Sequence, residues 1–96
     1  LALLPSYPNP FRPIVDDDTS IGFELDQVSP VTTLSIYTAD GAVVRRFDLG
    51  ARSAGKYTKR WDGTNQDGAL VASGLYHYVL EAAGQHRRAS LALIRD

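Results

Sequence analysis

The amino-acid sequence predicts an all-β fold, an antiparallel β-sandwich of about seven short strands. Three observations support this prediction. Apolar and polar residues alternate in several short segments, turn-forming residues separate these segments at frequent intervals, and no segment of useful length has helical periodicity. This pattern is typical of two packed antiparallel sheets, and a small closed barrel is the alternative.

Length and composition allow one domain and exclude several functional classes. A chain of 96 residues buries only about 60–65% of the surface that its unfolded form exposes, which leaves little room for a deep active-site cleft. The net charge of -1 gives no general attraction for nucleic acid or an anionic membrane. The absence of cysteine excludes disulfides and cysteine-ligated metals, and no apolar run is long enough to span a bilayer.

Residues 1–13 are predicted to form a linker-like lead-in and edge strand, with the sandwich domain at residues 14–96. Prolines punctuate residues 5–13, and each favours extended backbone at its own position and at the residue before it. We expect Tyr7 and Phe11 to pack this segment against the edge of the sandwich. A proline-rich recognition segment is the functional alternative.

The acidic run Asp16, Asp17 and Asp18 offers the oxygen ligands that calcium prefers. Further ligands from elsewhere in the chain would have to complete such a site, so a solvated turn is the favoured interpretation. The sequence therefore predicts no resident metal or cofactor and keeps these three carboxylates as weak calcium candidates.

Three strands are predicted in the first half of the sandwich. Residues 19–25 alternate apolar and polar side chains, and residues 31–38 are rich in β-branched and aromatic ones. A turn at residues 39–42 follows, where Asp40 and Gly41 predict the positive φ angles of type I′. Residues 43–49 then return as an antiparallel strand.

Three more strands are predicted at residues 56–61, 74–83 and 86–94. The segment 74–83 carries apolar side chains on both faces, which predicts a central position in its sheet. Gly74 and Tyr76 are expected to fix the start of this strand, in the manner of a tyrosine corner.

The stretch that begins at Trp61 is predicted to organise the fold rather than to carry chemistry. Trp61 is expected to anchor the core. In the loop that follows, acidic and amide side chains are expected to accept hydrogen bonds from loop amides, while glycines supply positive φ. The motif residues of this loop are Asp62, Gly63, Asp67 and Gly68.

No constellation of catalytic residues is apparent. The chain has two histidines, His77 and His86, and no G-x-S-x-G nucleophile elbow. Counted from Asp62, the loop fails the spacing of a calcium-binding EF-hand, because its sixth residue is Asp67 and its twelfth is Ser73 rather than glycine and glutamate. The sequence therefore disfavours an enzyme.

Four runs of sequence carry a family resemblance: YPNPF at 7–11, IGFEL at 21–25, LSIYTADGAVVRRF at 34–47 and AGKYTKRWDGTNQDGALVASGLYHYVLEA at 54–82. Together they resemble the Ig-like domain of flagellar hook-capping proteins (FlgD). The most specific parts are the W-D-G at Trp61, the D-G that follows it and the S-G-x-Y that ends at Tyr76. The resemblance covers nearly the whole chain and implies an immunoglobulin-like sandwich.

A second pattern resembles the C-terminal sorting domains of type IX secretion cargo. It consists of P-N-P near the start, an I-Y run followed by a glycine turn, and G-x-Y near the end. The matching residues are Pro8, Asn9, Pro10, Tyr37, Gly41, Gly74 and Tyr76. The chain ends in ASLALIRD, where Arg95 takes the place of the basic residue of the sorting domains and Asp96 is the last residue.

These resemblances imply a non-catalytic C-terminal module of a larger exported bacterial protein, secreted or at the cell surface. The expected partners are the upstream domains of the parent protein and the secretion machinery or cell surface, without nucleic acid or a membrane span. An accessory module that binds carbohydrate or a protein is one alternative, and a structural spacer or assembly module is another. A sugar-binding row would need exposed tyrosines among Tyr7, Tyr37, Tyr57, Tyr76 and Tyr78.

Overall fold

A computed structural model describes residues 1–95 as a sandwich of two antiparallel sheets. In chain order the strands are β1 (Ala2–Leu3), β2 (Thr19–Leu25), β3 (Thr32–Thr38), β4 (Val43–Asp48), β5 (Gly55–Trp61), β6 (Gly74–Ala82) and β7 (Gln85–Leu93). One sheet has the order β1-β2-β5 and the other has the order β4-β3-β6-β7. The predicted all-β sandwich is confirmed, and the barrel alternative is wrong because the two sheets stay separate.

The strand ends lie within one residue of those predicted from the alternation of side chains. β1 is a short edge strand within residues 1–13, and it pairs with β2 through Ala2 and Leu3. Asp96, which the predicted domain 14–96 includes, lies outside the described residues. Within residues 1–95 there is no helix that is long and apolar enough to cross a membrane.

The core lies between the two sheets and is formed by alternate residues of each strand. β2 shows the pattern most simply, since Ile21, Phe23 and Leu25 are buried while Ser20 and Glu24 are not. The largest fully buried side chains are Trp61, Tyr78, Phe11, Phe23, Ile21, Leu34, Ile36, Leu80, Leu91 and Leu93.

The first thirteen residues do not pack as the sequence suggested. Phe11 has no exposed surface and belongs to the core itself, whereas Tyr7 is 80% exposed. The expectation for Tyr7 is therefore wrong. The Tyr7 backbone exchanges two hydrogen bonds with Ser20 of β2, at 3.0 and 2.8 Å, and in extended backbone this pairing leaves the ring outside the sandwich.

The turn between β3 and β4 is not the predicted type I′. Gly41 donates its N–H to the Thr38 carbonyl at 3.0 Å, and Gly41 has a φ of 94°. Asp40 does not share a positive φ, so the geometry is that of a type I turn followed by a glycine bulge. The Thr38 hydroxyl donates to the Asp40 carboxylate at 2.6 Å and accepts the Ala42 N–H at 3.0 Å, which stabilises this three-residue loop.

The turn between β6 and β7 has the type I′ signature instead. Ala83 and Gly84 both have positive φ, 52° and 75°, and they connect the paired residues Ala82 and Gln85. Ala83 is the one non-glycine residue with positive φ in the described part of the chain. Its N–H donates to the Ser29 hydroxyl at 2.9 Å, which holds the turn against the sandwich.

β6 has the central position that its sequence predicted, between β3 and β7. Tyr76, Tyr78 and Leu80 point into the core. The other face of β6 remains accessible, because His77 is only partly buried and Leu75 is 50% exposed. This open outer face contributes to the candidate site below.

Candidate interaction site

The family-motif residues gather at one end of the sandwich. Thr38, at the end of β3, lies opposite Tyr76 near the start of β6, and the rings of Trp61 and Tyr76 are 5.7 Å apart. The strands therefore bring separate loops together at this end. We call it the motif end and define it by residues 5–13, 39–42 and 62–73.

Trp61 is the packing centre of the motif end. Its side chain is completely buried at the end of β5. The ring lies 6.2 Å from the Phe11 ring and 5.7 Å, edge-on, from the Tyr76 ring. The indole N–H donates to the Thr64 carbonyl at 2.9 Å, so its polar atom is satisfied inside the loop that follows.

Asp62 closes the first turn of this loop. Its carboxylate accepts the Thr64 N–H at 3.1 Å and the Thr64 hydroxyl at 2.5 Å, and Arg45 of β4 contacts the same carboxylate oxygen at 3.4 Å. The hydrogen bond from the Thr64 hydroxyl, more than the Arg45 charge, holds the pKa of Asp62 below its usual range. The network ties the loop to β4.

Gly63 lies where the loop meets the lead-in. It is buried and has a φ of 83°, a backbone conformation that other residues adopt at a cost. A Cβ atom at this position would lie 3.2 Å from side-chain atoms of Leu70, Phe11 and Pro13. Both conformation and space therefore explain the glycine of W-D-G.

The centre of the loop is held by the Asn65 side chain. Its carbonyl oxygen accepts the N–H groups of Asp67 and Ala69, each at 3.0 Å. Gly68 has a φ of 85° and donates its N–H to the backbone carbonyl of Asn65 at 3.0 Å. The Asp67 carboxylate is exposed at the tip, and this tight turn leaves it free to contact another molecule.

Gln66 covers part of the free edge of β4. Its N–H donates to the Val44 carbonyl at 3.1 Å, and its side-chain oxygen accepts the Arg46 N–H at 3.1 Å. One residue thus occupies two backbone groups that would otherwise be open to pairing by another chain.

The P-N-P segment covers part of the free edge of β7. The Asn9 side-chain oxygen accepts the Ala92 N–H at 3.0 Å, and the Phe11 N–H donates to the Ala92 carbonyl at 2.8 Å. The peptide bonds before Pro8 and Pro10 are both cis, and the Pro8 carbonyl accepts the Thr19 hydroxyl at 2.9 Å.

The S-G-x-Y run also contacts the end of the chain. Ser73 accepts the Arg95 N–H at 2.7 Å and donates its hydroxyl to the Arg95 carbonyl at 3.1 Å. Gly74 then begins β6, and the Tyr76 hydroxyl donates to the Ala72 carbonyl at 2.5 Å. A tyrosine that bonds to the backbone just upstream has the geometry of a tyrosine corner.

Tyr37 and Gly41 line a shallow groove of about 430 Å³ on the outer face of the four-stranded sheet. The other polar lining residues are Thr38, Asp40, His77 and Arg88. A hydrogen bond from the Thr38 hydroxyl lowers the pKa of Asp40, so the groove has an anionic group at its hairpin side and a guanidinium on β7. Aromatic, cationic and anionic groups together suit binding of a polar segment.

The groove has no catalytic geometry. His77 Nδ1 lies 2.7 Å from the Ser90 hydroxyl oxygen, but no carboxylate among residues 1–95 hydrogen-bonds the other ring nitrogen, as a serine–histidine–aspartate triad would require. His86, the second histidine, is exposed beside Arg87 in β7.

The calcium candidates lie in the turn before β2. The Asp16 carboxylate accepts the Arg12 N–H at 3.0 Å, Asp17 is exposed and Asp18 is partly buried. Among residues 1–95, no group of three or more histidine, cysteine, aspartate and glutamate side chains is placed to hold a metal ion.

Several important contacts could not be predicted from the sequence. Tyr78 spans the sandwich, since its hydroxyl donates to the Leu4 carbonyl at 3.0 Å and accepts the Ser6 N–H at 3.1 Å. Burial raises the pKa of this hydroxyl. The sequence gives no signal for the role of Gln66, and Phe11, expected at the edge of the sandwich, lies in the core itself.

Comparisons with known proteins point to one family. The family profile described as the FlgD Ig-like domain matches residues 10–86. The basal-body rod modification protein FlgD of Escherichia coli K12 is 38% identical over 69 residues, which cover 72% of this chain and 30% of the relative. The chain therefore spans less than a third of the length of that curated relative.

Solved structures show the same fold. FlgD from Pseudomonas aeruginosa is similar with a TM-score of 0.67 and 25% identity, over 79% of this chain and 62% of that one. PorZ of Porphyromonas gingivalis, a surface component of its type IX secretion system, is similar with a TM-score of 0.66 and 23% identity. That match covers 95% of this chain and 11% of PorZ.

Proposed function

This chain belongs to the FlgD Ig-like domain family, and from that premise we propose that it is a non-catalytic C-terminal module of a larger exported bacterial protein. Its role is secretion, sorting or attachment of that protein at the cell surface. The module acts by contacts of its surface with the secretion machinery or the cell envelope, while residues 1–13 lead in from upstream domains.

The observation that carries the proposal is the convergence of two motifs on the last strand. Asn9 of P-N-P accepts the Ala92 N–H, and Ser73 before the G-x-Y run holds Arg95 by two hydrogen bonds. Asn9 of the sorting-type pattern and Ser73, which immediately precedes its G-x-Y part, thus both hold the chain segment 92–95. A segment held in this way is suited to recognition by a transport component.

The same fold occurs in PorZ, a surface component of a type IX secretion system. The proposal places the present chain in a comparable export context. The absence of a catalytic arrangement in the groove around His77, among the described residues, favours binding over chemistry.

A reporter fusion tests this function. Residues 1–96 are fused behind a signal peptide and a reporter enzyme in a host with type IX secretion, and reporter activity is measured in periplasm, outer surface and medium. We expect the reporter at the surface or in the medium. Retention of the whole signal in the periplasm would argue against the proposal.

A matched pair of variants sharpens that assay. Asn9→Ala removes the contact to Ala92, whereas Gln27→Ala removes an exposed amide outside the motifs. We expect reduced export with Asn9→Ala and unchanged export with Gln27→Ala, after circular dichroism has shown that both variants fold. Equal export of both would show that the P-N-P segment is not recognised.

A structural assembly module is the second candidate, favoured by the 38% identity to the basal-body rod modification protein. In that case copies of the domain would associate with one another or with a scaffold. Analytical ultracentrifugation over a concentration series separates the two ideas, because a self-assembling module gives oligomers that increase with concentration and a sorting module stays monomeric.

A further inference from the structure

We propose that the uncovered half of the β7 edge is a binding site for an extended acidic segment of a partner protein, which adds as a further strand to the four-stranded sheet. β7 is an edge strand, and β6 is its one strand neighbour among the described residues. This inference goes beyond the proposed function, because it assigns a surface and a partner chemistry that do not depend on how the parent protein is exported.

The lead-in already demonstrates pairing at one half of this edge. The Phe11 N–H donates to the Ala92 carbonyl at 2.8 Å, the Ile94 N–H donates to the Phe11 carbonyl at 2.8 Å, and Asn9 accepts the Ala92 N–H. The edge therefore has the twist and access that an added extended segment needs. β1 also packs against β7, but the hydrogen bonds from the lead-in to the β7 edge reach no farther than Ala92.

The other half of the edge presents free backbone groups in the same orientation. The backbone groups of residues 92 and 94 point away from β6 and bond to the lead-in. Backbone N–H and C=O groups of every second residue in a strand point to the same side. The N–H and C=O groups of His86, Arg88 and Ser90 therefore also point away from β6. No segment of the described chain pairs with Arg88 or Ser90 on this side. These groups form a row open to a partner strand.

The side chains along this row determine the charge of the partner. His86, Arg87 and Arg88 are consecutive and exposed, and Arg88 makes no hydrogen bond or ion pair within residues 1–95. Two acids are close to this row. Glu81 lies opposite His86 across the strand pair, and the pKa of the Asp26 carboxylate is lowered first by its hydrogen bond from the Leu1 ammonium and in smaller part by the Arg87 charge. The edge is therefore cationic, and an acidic segment is electrostatically complementary to it.

The groove beside β7 provides room for a side chain of the added strand. Arg88, Tyr37, His77 and Val79 line the groove on the β7 side of Asp40, which is the anionic group at the hairpin. In strand addition, backbone hydrogen bonds supply affinity and pockets for alternate side chains supply specificity. A carboxylate on the outer face of the partner would meet Arg88 in this groove, with the aromatic and apolar groups beneath its stem.

β5 offers the natural comparison, because it too is an edge strand and carries exposed basic residues, Lys56 and Arg60. Lysine and arginine on an edge can also serve to prevent pairing. Unlike β7, β5 has no partly paired neighbour within residues 1–95 that shows strand addition, and the groove that borders it is the smaller one, about 230 Å³ against about 430 Å³. Arg60 therefore provides the control position.

The test uses residues 1–96 and a capped, fluorescein-labelled octapeptide that alternates glutamate and valine, with a lysine–valine octapeptide as the opposite-charge probe. Anisotropy measures binding, and amide chemical shifts locate it. We expect the acidic peptide to bind and to shift the amides of residues 86–90, while the lysine peptide does not. No binding of the acidic peptide up to 1 mM, or shifts confined to β5, would overturn the proposal.

Three variants separate charge from backbone pairing. Arg88→Gln should weaken binding about three- to tenfold, as loss of an exposed charge-assisted contact does, and Arg60→Gln should leave it unchanged. Ser90→Pro removes an outward N–H that β6 does not use and should abolish binding. Equal weakening by Arg88→Gln and Arg60→Gln would reduce the effect to general charge attraction and would contradict the assigned site.

A modified probe keeps the test decisive if Ser90→Pro does not fold. Two versions of the acidic peptide are made, one N-methylated at the odd positions and one at the even positions. Each version therefore lacks the N–H donors along one edge of the peptide strand. Strand addition requires that at least one of the methylated peptides bind more than tenfold more weakly. Unchanged binding of both would show that no backbone pairing occurs.

Discussion

At each end of the sandwich a tyrosine near the start of a strand donates its hydroxyl to a carbonyl four residues upstream, Tyr76 to Ala72 at the motif end and Tyr57 to Ser53 at the opposite end. The two hydrogen bonds are locally equivalent, but their surroundings are not. Tyr76 is buried and packs edge-on against Trp61, whereas Tyr57 is partly exposed and stacks on Phe23.

The difference lies in what each end has to hold. The motif end joins the lead-in, the loop 62–73 and the chain end through contacts between residues far apart in sequence, such as Asn9 with Ala92 and Arg45 with Asp62. The opposite end consists of the connections 26–31 and 49–54 and the turn 83–84. The family motifs therefore lie at the end of the sandwich where distant segments of the chain meet.

The largest test of the comparison is Trp61→Ala. Removal of this fully buried ring should lower the free energy of unfolding by about 3–5 kcal/mol, as truncation of core aromatic residues does. Tyr57→Ala at the opposite end should cost only about 1–2 kcal/mol, since part of that ring stays in water in the folded state. Urea denaturation of both variants measures the difference, and equal losses would show that the motif end is not the better packed one.

The sequence was sufficient to predict the strands because period-two alternation depends only on which face is buried. The apolar residues Ile21, Phe23 and Leu25 stand at alternate positions within five residues, and this pattern alone predicts that they are buried. The predicted role of Trp61 as a core residue also agrees with its complete burial. These features are local, and local patterns are visible in one sequence.

The site could be predicted only in part because its geometry depends on contacts between distant segments. Nothing near Gln66 in sequence indicates that it covers β4, and the pairing of Phe11 with β7 spans most of the chain. The Asp-Gly pair alone predicts type I′ for the 39–42 turn. The Thr38 hydroxyl instead bonds to the Asp40 carboxylate and the Ala42 N–H, and these bonds favour another turn type. Whether such side-chain hydrogen bonds form depends on the three-dimensional position of the side chain, which the sequence does not show.

Replacing one glycine at each end by alanine compares how tightly the two ends pack around an added methyl group. Gly63 and Gly50 have similar φ angles, 83° and 73°, but a Cβ at Gly63 would lie only 3.2 Å from three side chains, whereas one at Gly50 would have nothing within 4 Å. Gly63→Ala should cost about 2–4 kcal/mol, from backbone conformation and overpacking together, and Gly50→Ala about 1–2 kcal/mol from conformation alone. Equal costs in thermal and urea unfolding would mean that the loop yields easily around Gly63.

The two tyrosine hydroxyls provide a smaller test. Tyr76→Phe removes a partly buried hydrogen bond and should cost about 1–1.5 kcal/mol, whereas Tyr57→Phe removes an exposed one and should cost less than about 0.5 kcal/mol. Each ring stays in place, so the comparison isolates the hydroxyl group. The unfolding midpoints in urea measure the two effects, and a larger loss in Tyr57→Phe would reverse the ranking of the ends.

The smallest predicted effect is a gain in stability at the opposite end. Ala83 has a φ of 52° in a two-residue turn, a left-handed conformation that is unfavourable for alanine and common for asparagine. Ala83→Asn should therefore raise the free energy of unfolding by about 0.5–1 kcal/mol. The hydrogen bond from the residue 83 N–H to Ser29 is unaffected, because the substitution leaves the backbone donor in place.

Ala39→Asn is the matched control, since Ala39 is exposed in the turn at the motif end and does not have a positive φ. The same substitution should change stability there by less than about 0.5 kcal/mol. A gain at residue 83 without one at residue 39 would show that the motif end already has the backbone geometry its residues prefer, while the opposite end retains strain that one side chain can relieve. Equal gains at both positions would instead assign the effect to asparagine itself and remove this distinction between the two ends.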